Sequence, residues 1–341
     1  MRACAVLLAV AACGRLNFDE LGDGGGSAND DAAIPPGTFT QVIQIAAGNA
    51  ATPASYSISL TFDHAALVMA GRSLPDGSDV GVVTEGADVD RVLDPGSTWN
   101  ASDTRIWFRC SPPVAAGATN TEHVLVYGRG ARTPQEDRSA VFVFWDDFEA
   151  GLGRWQIRGG TWNTGATAVH GGASALEMAG PLAGANRWIV ASDVTETDVA
   201  FEGYWRITSD SGSDLGQGIR AGGVTSPSHY LVNLEQTSGL VLAKDSASGF
   251  AALSSHVASP VANAWTRVAI AIAGQSARLF VDGAQVLPAA GGLDVGTELA
   301  TGSVSLYLFT LGNNQRWSVD DVFVRRYVDP EPVASLGMVM P

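Results

Sequence analysis

Apolar and polar positions along this chain alternate with a period of two, in short runs separated by turn residues. The clearest case is Tyr56-Ser-Ile-Ser-Leu-Thr-Phe62, where Tyr56, Ile58, Leu60 and Phe62 fall on one face. Residues 39–45, 104–110 and 123–128 read as further strands, and Asp76-Gly-Ser-Asp79 is a turn feeding another at 80–83. No segment carries the 3.6-residue period of a long amphipathic helix. The pattern predicts an all-β fold built as β-sandwiches.

The run Val141-Phe-Val-Phe-Trp-Asp-Asp-Phe-Glu-Ala-Gly-Leu-Gly-Arg-Trp155 divides the chain. It begins as an apolar stretch without period, as a strand buried on both faces would, and breaks into Asp146, Asp147 and Glu149 before a turn with two glycines. It is expected to end one β-domain and open another. Beyond it, residues 197–207 alternate cleanly, with Phe201, Trp205 and Ile207 on one face and Glu202, Tyr204 and Arg206 on the other. Residues 229–235 do the same, with Tyr230, Val232 and Leu234 inward. Asp282-Gly283, between two strand-like runs, is a dipeptide that favours a type I′ hairpin turn.

The first twelve residues have one early arginine, a short apolar core and small residues before Cys13. That is the form of a secretory signal, too short to span a bilayer, which takes about 20 apolar residues. Val10-Ala-Ala-Cys13 resembles the lipobox of bacterial lipoproteins. The resemblance implies cleavage before Cys13, lipidation of that cysteine and a lipid anchor at the outer membrane or cell surface, with which Gly14 is compatible. Several acyl chains hold a protein at a membrane where one would bind only marginally. Residues 13–37 are rich in Gly, Asp and Pro and read as a flexible tether. The expected plan is a signal peptide at 1–12, the tether, a β-sandwich at 38–145, a second at 146–330 and a tail at 331–341.

Composition narrows the partners. The chain is 46% hydrophobic and 16% charged, so it can bury proper cores, and its net charge is -15. An acidic chain without a basic stripe is repelled by phosphate backbones, which excludes nucleic acid as an expected partner. Once Cys4 leaves with the signal and Cys13 takes lipid, Cys110 is alone, a small buried hydrophobe rather than a nucleophile, and no disulfide is expected.

Four segments in order, Asp76-Gly-Ser-Asp79, Ile106-Trp107-Phe108, Val126-Tyr127-Gly128 and Phe144-Trp145-Asp-Asp-Phe-Glu149, resemble unknown-function family 2341, which occurs in secreted and surface proteins of bacteria and archaea. Gly81 and Arg129 depart from the family pattern, as does the lack of its usual aromatic segment around residues 92–96. The later context, a strand, Val-Asp-Gly and a strand, resembles the concanavalin A-like lectin/glucanase jelly roll and its laminin-G relatives. Residues 317–332 are similar to the ends of family proteins that carry such a domain.

Three constellations could carry chemistry. Glu196, Asp198 and Glu202 resemble the carboxylate motif of concanavalin-like glucanases, and a retaining hydrolase needs two carboxyls about 5–5.5 Å apart. Here the spacing is one residue longer and the flanking aromatics are missing, so a solvated start of a strand is the competing reading. Asp146, Asp147, Glu149, Asp320 and Asp321 lie on first and last strands, where relatives of the jelly roll often hold a structural calcium; acidic caps are the alternative. Glu202, Tyr204 and Arg206, with Asn233 and Glu235, would offer hydrogen bonds and one aromatic ring to a sugar if their strands were adjacent, or form an ordinary half-exposed sheet face. His64, His123, His170, His229 and His256 have no ligand spacing, and no phosphate loop or nucleophile elbow is present. The expected function is non-catalytic binding of polysaccharide or glycan at the cell envelope. The alternatives are a glycoside hydrolase using Glu196, Asp198 and Glu202, and a structural or adhesive surface protein.

Overall fold

The computed structural model describes residues 37–130, 136–182, 184–208, 212–223, 226–235 and 239–340. The expected signal peptide, Cys13 and all of the expected tether except Gly37 lie outside the described residues. Among the described residues the only helices are His64–Met69 and Arg138–Val141; everything else regular is antiparallel strand.

In the first sandwich a three-stranded sheet, Tyr56–Phe62, Thr104–Cys110 and Arg91–Leu93, faces a five-stranded one. The alternation legible in Tyr56, Ile58, Leu60 and Phe62 buries all four with Ile43, Ile45, Leu125 and Tyr127 of the facing sheet. Asp79 fastens two of the sequence motifs together. Its carboxylate accepts hydrogen bonds from Ser73 Oγ at 2.9 Å, Leu74 N at 2.9 Å and Gly128 N at 2.7 Å. Gly128 sits at φ +79°, a left-handed conformation that glycine adopts without strain.

The second sandwich is a jelly roll of one nine-stranded and one seven-stranded sheet. The nine-stranded sheet centres on Arg316–Arg326, Val199–Ile207 and Trp265–Ala273. The seven-stranded sheet centres on Ser228–Glu235, Asp214–Gly222 and Ser303–Thr310. Phe201, Trp205 and Ile207 meet Tyr230, Val232 and Leu234 between the sheets, as their periods require. Gln217 crosses this core: it accepts from Trp205 Nε1 at 2.9 Å and donates to the carbonyls of Phe201 and Val268 at 2.9 and 3.0 Å. A buried amide so satisfied costs little and fixes the register of the facing sheets.

Two expectations about the joints are corrected. The run from Val141 does not supply a last strand to the first sandwich. After the helical turn Arg138–Val141, the strand Phe144–Asp146 pairs with Arg316–Arg326 in the nine-stranded sheet. Residues 331–341 are not a free tail either. Val333–Met340 returns to the first sandwich and pairs along Phe39–Ala46, from Ala46↔Val333 to Thr40↔Met340. Its alternation is interrupted by a register shift between Gln41 and Ile43, which hides it from a reading of period alone.

The sandwiches meet through the outer faces of the three-stranded and nine-stranded sheets. Val92, Trp107, Val141, Phe142, Trp145 and Phe323 form one apolar cluster there. Phe142 and Phe323 are 4.6 Å apart between ring centroids, and Trp107 meets both rings edge-on.

Candidate ligand-binding cleft between the two sandwiches

Beside that aromatic cluster a row of buried charges crosses the joint. Trp107 Nε1 donates to Asp94 Oδ2 at 2.7 Å, and Arg267 Nη1 donates to the same carboxylate at 2.9 Å. Arg267 also donates to Glu202 Oε2 through Nε at 2.9 Å and Nη2 at 2.6 Å. The other oxygen of Glu202 accepts from Arg325 Nε at 2.7 Å, and Arg325 pairs onward with Glu331, to which Tyr56 Oη donates at 2.8 Å. Burial alone would raise the Glu202 carboxyl; Arg267 and Arg325 overcome it and hold the group at about 2. Arg267 in turn is kept cationic against its own burial by Glu202 and Asp94.

A cleft of about 390 Å³ opens against this row, within the range of small-ligand sites. Its walls come from both sandwiches. The first contributes the turn Asp94-Pro-Gly-Ser97 with Thr98, Asp103 and Arg105; the second contributes His170, Tyr204, Arg267 and the turn Asp282-Gly283. The first turn closes with Ser97 N on Asp94 O at 2.8 Å and Gly96 N on Asp94 Oδ1 at 3.0 Å. The second is the hairpin turn expected from sequence, with φ +48° at Asp282 and +79° at Gly283 and with Val281 paired to Ala284. Asp282 Oδ1 accepts the Arg267 N–H at 2.9 Å. A smaller cavity of about 190 Å³ reaches Glu202 and Arg325 and shares Arg105, Arg267 and Gly283 with the cleft.

His170 belongs to a loop held down by acids. Glu149 accepts from the backbone of Ala173 and Ser174 at 2.6 and 2.8 Å, and Asp320 from that of His170 and Gly171 at 2.8 and 3.1 Å. Asp321 takes His170 Nδ1 at 2.7 Å, and the imidazole lies on Tyr204. Burial, then the charge of Asp321, pushes the Asp320 carboxyl up to about 6.

Each residue singled out by sequence can now be placed. Asp146 accepts from Phe148 N at 2.8 Å and Trp155 Nε1 at 2.6 Å, and Asp147 pairs with Arg138 at 2.6 Å. The proposed calcium set of Asp146, Asp147, Glu149, Asp320 and Asp321 therefore does not converge. Its oxygens serve backbone and side-chain donors, and among the described residues no group of three or more His, Cys, Asp or Glu is placed to hold a metal ion. Glu196, Asp198 and Glu202 each have an arginine of their own: Arg326 at 3.5 Å, Arg220 at 3.1 Å, and Arg267 with Arg325. A hydrolase needs one carboxyl kept protonated, and Glu202 is held in the opposite state by its two arginines.

The five-residue binding face is split between sheets. Glu202 and Tyr204 face the joint and the cleft, while Arg206 bonds Asn263 O at 3.2 Å. Asn233 lies in the seven-stranded sheet, bonded to Asp214 at 3.0 Å, and Glu235 pairs there with His256 at 2.8 Å. The ring of Tyr204, expected to stack on a sugar, is already covered by His170. Sequence reasoning missed Asp94, Asp103, Arg105, His170 and Arg267, because four of these act from loops or from the other sandwich, and no period marks them. The Asp282-Gly283 turn was legible; its place in a cleft was not.

No protein-family model and no curated protein sequence matches the chain. Solved structures similar to part of it include the carbohydrate-binding module CBM66 from Bacillus subtilis, at 13% identity and a TM-score of 0.40, covering 51% of this chain and 97% of that one. The cellulose-induced protein Cip1 aligns at 16% identity and 0.41, over 53% of this chain and 96% of its own. A Bacillus subtilis protein of unknown function with a galectin-like fold aligns at 11% and 0.39, over 54% and 96%.

Proposed function

We propose that this protein binds carbohydrate without catalysis, and that the cleft between the sandwiches is the site. The observation that carries the reading is the cleft's lining. Its walls are carboxylates, hydroxyls, guanidinium and imidazole groups with turn backbone, and almost no apolar side chain. Such a surface gains little from an apolar ligand and can match the dense hydroxyl groups of a sugar. Hydrolysis is the weaker reading, because Glu202 is fixed in its ionised form between two arginines.

The test is a glycan array followed by calorimetry on the purified protein. A saturable hit, lost in Asp103→Ala and Arg105→Ala, is the expected result; both side chains reach solvent, so neither change threatens the fold. A blank array would overturn the proposal in favour of a structural or adhesive role.

The proposal includes a location: a lipid on Cys13 anchoring the chain at the outer membrane or cell surface. The apolar leader and the small residues before Cys13 support it. Mass spectrometry of the mature N-terminus checks it, and a chain retaining Met1 or an unmodified Cys13 would overturn it.

A further inference from the structure

The donors and acceptors left open in the cleft narrow the class of sugar. Arg267 is largely committed, since its Nε, Nη1 and Nη2 each donate to Asp94 or Glu202. Asp94 is likewise filled by Trp107, Gly96 and Arg267. The groups that remain open, among the described residues, include several acceptor oxygens. Asp103 has no hydrogen-bond or ion-pair partner, and Asp282 uses only Oδ1. Asp321 can only accept, so His170 donates to it from Nδ1 at 2.7 Å. Against these stands one uncommitted cation, Arg105, whose Nε reaches Thr61 Oγ1 at 3.3 Å and which has no carboxylate within ion-pair distance.

Resting on the carbohydrate reading above, we infer that the cleft takes an uncharged sugar whose hydroxyls donate to Asp103 and Asp282, and that it rejects uronates and other anionic glycans. A ligand carboxylate would bring a further acceptor to a wall already rich in them, beside two unneutralised carboxylates in a chain of net charge -15. Hydroxyl to carboxylate bonds are charge-assisted and short, and they ask for no counter-ion.

The experiment is calorimetry with matched pairs, a galacto-oligosaccharide against the corresponding oligogalacturonate and a cello-oligosaccharide against its C6-oxidised form, at low and high salt. The expected result is binding of a neutral member, unchanged by salt, with the anionic partner at least about tenfold weaker. Asp103→Asn with Asp282→Asn should weaken the neutral ligand and narrow the gap; asparagine tolerates the left-handed φ of residue 282, so the turn survives. Equal or tighter binding of an anionic member would overturn this inference while leaving carbohydrate binding standing. Binding of neither member, with a blank array, would overturn both. Unaltered neutral binding in the double variant would show that the two carboxylates are not its acceptors.

Discussion

The imidazole of His170 lies flat on the ring of Tyr204, with centroids 3.8 Å apart and planes 15° from parallel. Two residues thirty-four positions apart in sequence thus form one wall of the cleft, the first on an acid-pinned loop and the second on a central strand. Trp265 closes the stack edge-on at 5.5 Å. The pairing makes Tyr204 a support for His170 rather than a platform for a sugar.

At Gly96 the two sandwiches approach closely beside the cleft. A Cβ there would sit 2.2 Å from Tyr204 Oη. Gly96→Ala should therefore displace the tyrosine, lowering stability by about 1–3 kcal/mol as overpacking does and weakening sugar binding. Urea denaturation and calorimetry on the same variant check both effects.

Glu202→Gln should leave Arg267 and Arg325 facing each other without their shared anion. Breaking a buried pair in this way costs about 3–5 kcal/mol. A large fall in the urea midpoint is expected. A variant as stable as the parent would show that the two arginines are served by Asp94 and Glu331 alone.

Asp320 gives a pH signature. Its folded value of about 6 lies above the usual 3.8, so its contribution to stability is present below 3.8 and lost as pH rises through about 6. Asp320→Asn removes that titration. Urea midpoints taken from pH 4 to pH 7 should fall more steeply in the parent than in the variant, and parallel curves would refute the assignment. Glu202 has the opposite sign in a lower window: its contribution is present above 4.5 and lost as pH falls through about 2.

Cys110 should resist alkylation in the folded protein. Burial, then the charge of Glu122, pushes its thiol up to about 11, and thiolate is the reactive form. Iodoacetamide at neutral pH followed by peptide mass spectrometry should label this residue only after denaturation.

Where apolar side chains alternate without a break, sequence was enough. Tyr56 to Phe62, Phe201 to Ile207 and Tyr230 to Leu234 bury the faces their period assigns. The Asp282-Gly283 turn follows from the φ values only such residues accept. Sheet membership did not follow, because Glu202 and Asn233 alternate equally well in strands that belong to opposite sheets. The acids at Asp146, Asp147, Glu149, Asp320 and Asp321 read as cation ligands, yet peptide N–H groups, tryptophan, histidine and arginine answer them instead. A list of side chains leaves out the peptide N–H donors. The cleft was illegible for a simpler reason: half its wall comes from each sandwich.

The pairing of Val333–Met340 with Phe39–Ala46 has a bearing on biosynthesis. A chain made from its N-terminus has every strand of the jelly roll in hand before Val333–Met340 emerges. The five-stranded sheet waits for those residues, and until they arrive Phe39–Ala46 has one unpaired edge. The sandwich whose strands are made first thus closes after the jelly roll, and a chain cut before Val333 would carry a finished jelly roll beside an open, pairing-competent sheet edge.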